Sequence, residues 1–433
     1  MDTTPFFTQD TIVFGILMLT LGFVFYTSTS DQPFWKKFYK YIPALLMAYM
    51  MPALFTSAGI IAPEWEFTNE AGEIVKQESI LYYVASRYLL PAALVLMTLS
   101  IDLKGVFNLG PKALIMFLTG TVGIIIGGPI AIMLISLVSP ETVGGAGPDA
   151  VWRGLSTLAG SWIGGGANQA AMLEIYEYNP KKYGGMVLVD IVVANIWMAV
   201  LLLGIGKSKK IDKWLKADTS AIESLKEKVS AYTNKTTKIP TLADLIILLS
   251  IAFVVVGISH YGADNISAFL KANFESVSDK SSAMSSFGSQ FFWMISIATI
   301  LGILFSFSPL KKYEGAGASK LGSVFIYILV ATIGMKMDLS KILENPGLLI
   351  VGLVWMAIHV LLLVIVAKII RAPYFFLAIG SKANVGGAAS APVVAAAFHP
   401  SLATVGVLLA VFGYVVGTYG AMLTAELMRI VAP

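Results

Sequence analysis

Apolar runs of about 20 residues recur along the whole sequence, and no other feature limits the fold as strongly. A bilayer core about 30 Å thick is crossed by roughly 20 helical residues, each rising about 1.5 Å. Ten such runs stand at 11–28, 41–61, 80–101, 112–138, 183–206, 241–260, 288–308, 318–336, 346–369 and 401–428. Runs this long satisfy their backbone polar groups in lipid as helices rather than as barrel strands. Of the 433 residues, 57% are apolar and only 13% charged, about half the charge of an average soluble domain. A large soluble enzyme is excluded. With no Cys, the chain has no disulfide, thiolate metal site or cysteine nucleophile. Its opening, MDTTPFFTQD, has no basic stretch and does not resemble a cleaved signal peptide.

Charge placement gives organisation and orientation. Residues 207–239 carry nine lysines against four acids, more than the whole net charge of +4. The basicity is therefore one linker and not a nucleic-acid surface. It separates a first transmembrane repeat, 1–206, from a second, 240–433, and its lysines favour contact with anionic lipid. Cytoplasmic loops collect Lys and Arg, which puts Lys36, Lys37, Lys40, Lys104, Lys112, the linker, Lys311, Lys312 and Lys320 inside. The loop with Glu64, Glu66, Glu70, Glu73 and Glu78 but only Lys76 reads as external. Lys112 and Lys207 share a side only if an even number of crossings lies between them, and spans 112–138 and 183–206 already supply two. Segment 153–177 should then enter and leave from one face. Its legs, GLSTLAGSWI and ANQAAMLEIY, are each long enough for half a membrane and are joined by Gly164, Gly165 and Gly166. The alternative is a single crossing with an unwound centre.

An internal repeat is visible. IDLKGVFNLGP after the third span matches MDLSKILENP after the span ending at 336, aligning Asp102 with Asp338 and, after a one-residue slip, Pro111 with Pro346. Each copy continues into a long span and a glycine-rich interrupted segment, LAGSWIGGGANQAAM or LAIGSKANVGGAASAPV. Gly160-Ser161 there matches Gly380-Ser381, and Gly165-Gly166-Ala167 matches Gly386-Gly387-Ala388. If both segments, 153–177 and 373–398, are hairpins, five crossings separate them and the second copy is inverted. The expected fold class is an all-α polytopic membrane protein with two inverted-topology repeats, whose interrupted helices cross near the midplane. Secondary transporters place substrate and coupling-ion sites at such discontinuous helices.

The doubled "h-DL" segment resembles the cation/proton antiporter and anion transporter superfamily, and the design is similar to that of bile-acid symporters. The paired re-entrant segments are similar to those of citrate and glutamate sodium symporters. Over nearly its full length, and most clearly in GSWIGGGANQAAM and GSKANVGGAASAPVVAAAFHP, the chain resembles domain-of-unknown-function family 819 of bacterial membrane proteins. This resemblance implies a transport fold, in a bacterial inner membrane, without specifying a substrate. In the antiporters an acid sits on the span after the first interrupted helix, the place Asp190 occupies here, although Val189 departs from their usual pair of adjacent polar residues.

Candidate chemistry gathers in the same segments. A lone carboxylate such as Asp190, inside a span, costs several kcal/mol unless it faces a cavity or partner, which makes it the candidate for sodium or proton coupling. Asn168, Gln169 and Asn384 are expected to join it in ion coupling, with a sodium ion at Asn168, Gln169 and Asp190, since amide oxygens suit that ion. The expected substrate site comprises Ser161, Gly164, Gly165, Gly166, Asn168 and Gln169 from the first segment, and Ser381, Lys382, Asn384, Gly386, Gly387 and Ser390 from the second. For Asn168, Gln169, Asn384 and Ser390 the alternative is interhelical hydrogen bonding, and for Asp190 it is an acid near the interface, paired structurally. Lys382 either binds an anionic substrate, pairs with Asp190 or snorkels to the surface. His359 reads as a packing histidine, and Arg87 as reaching the interface or an acidic loop. Asp102 and Asp338 read as caps. Gly123/Gly127 and Gly413/Gly417 mark close helix packing, within the chain or in a homodimer.

The sequence thus reads as a secondary active transporter of a small polar, anionic organic solute coupled to sodium or protons, with no other cofactor and no nucleic-acid partner. A monovalent cation/proton antiporter is the alternative. An intramembrane enzyme is remoter, because His260, His359 and His399 are far apart in sequence and form no HExxH motif. A passive channel would not need inverted halves.

Overall fold

A computed structural model describes residues 4–68, 73–99, 103–220, 222, 239–278, 285–399 and 402–433. Glu70, Asp102 and linker residues 223–238 lie outside them. The described chain is helical throughout except for one ribbon. Eight helices are long and apolar enough to cross a membrane: α1 (Asp10–Ser28), α4 (Leu81–Leu99), α5 (Pro111–Ser136), α7 (Tyr183–Ile205), α9 (Leu242–Asn273), α11 (Ala318–Lys336), α12 (Gly347–Ile369) and α15 (Ala403–Val431). Shorter α3 (Ala44–Ser57) follows α2 (Pro33–Tyr41) across a sharp bend, and α10 (Gln290–Ser306) meets a second bent piece, bringing the total to ten if each bent pair is one span. Helices therefore stand at all ten expected runs. α9 overshoots the expected end at 260: its 32 residues start on a Thr241–Asp244 capping box and extend about 48 Å. In α4 a π-helical turn, Ala85–Leu89, precedes Pro91. Pro91 can neither donate an N–H nor tolerate the carbonyl four residues earlier, and the wider turn accommodates it.

The all-α polytopic class holds, with one short ribbon in the loop after α3. β1 (Glu64–Thr68) pairs antiparallel with β2 (Ile74–Glu78), with Glu64 opposite Glu78. Trp65 is buried while the neighbouring glutamates point outward, the alternation a half-buried strand requires. Glu64 reaches Lys181 at 3.5 Å and Asp10 accepts from Ser79 at 2.5 Å, so the ribbon marks one face of the bundle. The linker marks the other. There α8 (Ser208–Leu215) is followed by Asp218, which pairs with Lys112 at 3.1 Å and takes the Arg371 carbonyl on its N–H at 3.2 Å. The Ser220 hydroxyl and Lys112 hold the Asp218 carboxyl down at about 2, so this tie is ionised at any physiological pH.

Both glycine-rich segments fold back on themselves. In α6 (Val151–Ile175) Gly165 has φ 75 and ψ −171, open to glycine and strained for other residues. A Cβ on Gly160 would lie 2.6 Å from the Asn168 carbonyl oxygen, although a straight helix would separate those residues by about 12 Å. At the open end the Trp152 and Tyr176 rings are 5.5 Å apart and Arg153 donates to the Tyr176 carbonyl. The first segment therefore folds as a hairpin and not as a single unwound rod. The second consists of α13 (Tyr374–Asn384) and α14 (Gly387–Phe398), broken at Gly386 with φ 107; Phe375 and Phe398 close its open end at 5.3 Å.

The two open ends lie on different faces. Glu174 at the end of the first hairpin pairs with Arg87 at 2.5 Å and accepts from Tyr82, both at the ribbon-face end of α4. Arg87 thus pairs with the hairpin and not with a loop acid. Tyr374 at the start of the second hairpin gives its N–H to Asp212 of α8 at 2.7 Å, on the linker face. The glycine pairs work within the chain: Gly127 faces Trp355, whose indole would lie 2.6 Å from an added Cβ, and Gly417 faces Gly164.

Candidate functional site

Each hairpin carries an asparagine locked in the same manner. Asn168 donates to the Gly164 carbonyl at 3.0 Å and accepts the Thr418 hydroxyl of α15 at 2.5 Å. Asn384 donates to the carbonyls of Gly380 at 2.8 Å and Phe117 at 2.9 Å, and accepts the Thr121 hydroxyl of α5 at 2.8 Å. Both amides are fully buried, and every bond they make stabilises a backbone bend inside an apolar interior. Each hairpin is thereby fastened to a helix distant in sequence: the first to α15, the second to α5.

The two breaks meet. A Cβ on Gly413 of α15 would lie 2.8 Å from the carbonyl oxygen of Ile163 and 3.6 Å from that of Ala383, the last residues but one or two before each glycine break. A side chain there would occupy the junction, and glycine leaves it open. Gly165 faces Tyr414 and Gly166 faces Ile326 at ordinary contact distances.

Asp190 of α7 is 6% exposed and accepts three hydrogen bonds: from Ser161 Oγ at 2.7 Å, from Trp162 Nε1 at 2.6 Å and from Gln169 Nε2 at 3.1 Å. Donors from both legs of the first hairpin thus converge on one carboxylate, which satisfies the requirement for a partner inside the membrane. Asn168 turns the other way, to α15, and has no bond to Asp190 or Gln169. Among the described residues no three acids or histidines gather, so a coupling sodium would depend on amide, hydroxyl and carbonyl oxygens.

Lys382 is 2% exposed and does not snorkel. Its ammonium donates to the Ala194 carbonyl of α7 at 3.2 Å, one turn from Asp190, and no ion pair joins it to that acid. Instead it lies over the second break: a Cβ on Gly386 would be 3.0 Å from Lys382 Nζ and 2.3 Å from Ser390 Oγ. That serine oxygen is buried without a partner. Ser381 is used differently. Its Oγ takes the Trp197 indole N–H at 2.8 Å and sits 2.8 Å from His359 Nε2, while His359 Nδ1 sits 2.9 Å from the Gly120 carbonyl. A carbonyl can only accept, so Nδ1 carries the proton and the neutral ring accepts the Ser381 hydroxyl. Both ring nitrogens of His359 are thus bonded inside the bundle, as a packing histidine requires.

Sequence reasoning missed Thr121, Thr418, Trp162 and Trp197 as partners. Trp162 carried one usable signal, a lone N–H donor beside Ser161 in an interrupted segment. The threonines sit in long apolar spans and nothing local distinguishes them.

The family described as "Protein of unknown function (DUF819)" matches residues 15–431. The chain belongs to the DUF819 family. A curated relative, "Uncharacterized membrane protein YjcL" of Bacillus subtilis (strain 168), is 27% identical over 366 residues, covering 82% of this chain and 84% of that protein. Membership agrees with the multi-pass helical architecture, and the match spans both hairpins of this DUF819 chain.

Proposed function

We propose that this DUF819 protein is a secondary active transporter of a small polar, anionic organic solute, coupled to sodium or protons. The observation that carries this reading is the meeting of two broken hairpins at Gly413, one opening on the ribbon face and the other on the linker face. Support for inverted repeats comes from the helices around them. α5 starts on the linker face and α12 on the ribbon face, where Asn345 donates to the Thr142 carbonyl; each is followed by a hairpin and a long helix. Such a pair of halves can rock about a central site and expose it alternately.

In this reading the cargo anion sits at the second break. The Lys382 ammonium, the free Ser390 hydroxyl and the N–H groups opening α14 all suit negative charge. Asp190 supplies coupling. Trp162 Nε1 can only donate, so an incoming proton must go to the oxygen shared by Ser161 and Gln169. It would reverse one of those bonds and loosen the first hairpin from α7. No bond of the solute is made or broken. The second reading, a monovalent cation/proton antiporter, is favoured by Asp190 itself, a buried acid on the helix after the first hairpin.

The test starts by screening solutes for thermal stabilisation of the purified protein with and without sodium, since a ligand of the folded state raises its apparent stability. The best anion is then followed into proteoliposomes. Lys382→Met should lower its uptake at least about tenfold, with Lys382→Arg retaining part of it. Undiminished uptake in Lys382→Met would favour the antiporter reading.

A further inference from the structure

A cavity of about 410 Å³ opens on the ribbon face at the mouth of the first hairpin, a volume suited to a small molecule. Arg87, Arg153, Arg429 and Lys271 line it, and Glu177 is the one acid among the described lining residues. Its cations are not equivalent. Arg87 is engaged by Glu174 at 2.5 Å, and Arg429 by Glu426 at 3.4 Å. Among the described residues, no carboxylate lies within ion-pair distance of Arg153. One Nη donates to the Tyr176 carbonyl, the guanidinium lies 5.0 Å from the Trp152 ring centroid, and the buried Nε has no acceptor. A guanidinium has five donors in a planar fork that matches a carboxylate, and here most of that fork is unspent.

Glu177 lies in the charge field of both Arg87 and Arg153 without forming an ion pair to either. Its backbone is left-handed, φ 48, where glycine would be easier; a carboxylate is kept beside the guanidiniums at a position that disfavours any side chain. Trp152 and Phe291 present their remaining apolar edges to the same cavity, the Arg87 guanidinium lying over the Phe291 ring at 4.4 Å.

We propose that this vestibule is a second anion site, in which Arg153 grips the carboxylate of a small organic acid whose carbon skeleton lies against Trp152 and Phe291. The site is separate from Lys382 and goes beyond the transport reading, since it requires only binding. A bare oxyanion would satisfy the guanidinium and leave the aromatic wall unused.

Succinate and inorganic phosphate are the probes, titrated calorimetrically into purified full-length protein carrying Lys382→Met, so that the central lysine adds nothing. The expected results are succinate binding in this background, weaker by at least about tenfold when Arg153→Gln is added, tighter with Glu177→Gln, and phosphate weaker than succinate. If Arg153→Gln fails to fold, Arg153→Lys keeps the charge and loses the fork, and should also weaken succinate. Succinate affinity unchanged by either Arg153 variant overturns the proposal, as does phosphate binding equal to succinate. Absence of succinate binding in Lys382→Met also overturns it; if the parent protein binds succinate, that result leaves the central site standing.

Discussion

Asp190→Asn should abolish ion-driven uptake in a protein that still folds. An asparagine presents one oxygen and one NH2 where the carboxylate presents two oxygens. Trp162 Nε1, 2.6 Å away, can only donate, so the asparagine oxygen must face it. The NH2 then faces Ser161 and Gln169. A hydroxyl can turn to accept, and a glutamine amide can flip to present its oxygen. The tie between hairpin and α7 is thereby rebuilt at a cost of about 1–3 kcal/mol, while the only titratable group in the tie is gone. The readout is solute accumulation in proteoliposomes with and without an imposed sodium or proton gradient, beside a thermal melt. Gradient-driven accumulation equal to that of the parent protein would remove Asp190 from the coupling mechanism.

Gly417→Leu should be the most destabilising single change at the hairpin junction. A Cβ there would lie 2.4 Å from Gly164 Cα and 2.7 Å from Asn168 Nδ2, and the first of these is backbone that cannot rotate away. The leucine would push the first hairpin off α15 and break the Thr418–Asn168 bond that secures its bend. Overpacking of this kind costs about 3 kcal/mol or more when backbone must shift. Gly257→Ala in α9 is the control, with nothing within 4 Å of its added Cβ; it should be neutral or gain up to about 1 kcal/mol of helix propensity. Thermal unfolding and the monodisperse yield of the purified protein distinguish the two. A Gly417→Leu protein as stable as its parent would mean that the hairpin does not press on α15.

The span pattern was legible because lipid leaves a chain one local solution, and length and apolarity announce it. The first hairpin was legible from a charge argument, Lys112 and Lys207 sharing a side, added to three glycines in a row. Asp190 stood out because a carboxylate inside a span is costly. What could not be read was who touches whom. Asn168 and Asn384 were recognised as polar groups near breaks, but their hydroxyl partners come from residues 250 and 263 positions away, and nothing local marks Thr418 or Thr121. The ribbon was missed for a different reason. Its alternation, Glu64, Trp65, Glu66, Phe67, is a strand signal, but five residues per strand inside an acidic loop read as solvated charge. Arg87 was expected at the interface because Glu174, its partner, lies on the returning leg of a segment whose ends could be paired only once it was known to fold back.

The chain has no cysteine, so one introduced thiol reports a single position. Ser390→Cys places it beside Lys382 and Gly386, in place of a hydroxyl that is buried and unbonded. In sealed proteoliposomes of uniform orientation, a membrane-impermeant maleimide should modify Cys at 390 from the outside and, in a separate experiment, from the lumen. Imposing an ion gradient should speed one and slow the other. Modification from one face only, whatever the gradient, would contradict alternating exposure of the junction between the two hairpins.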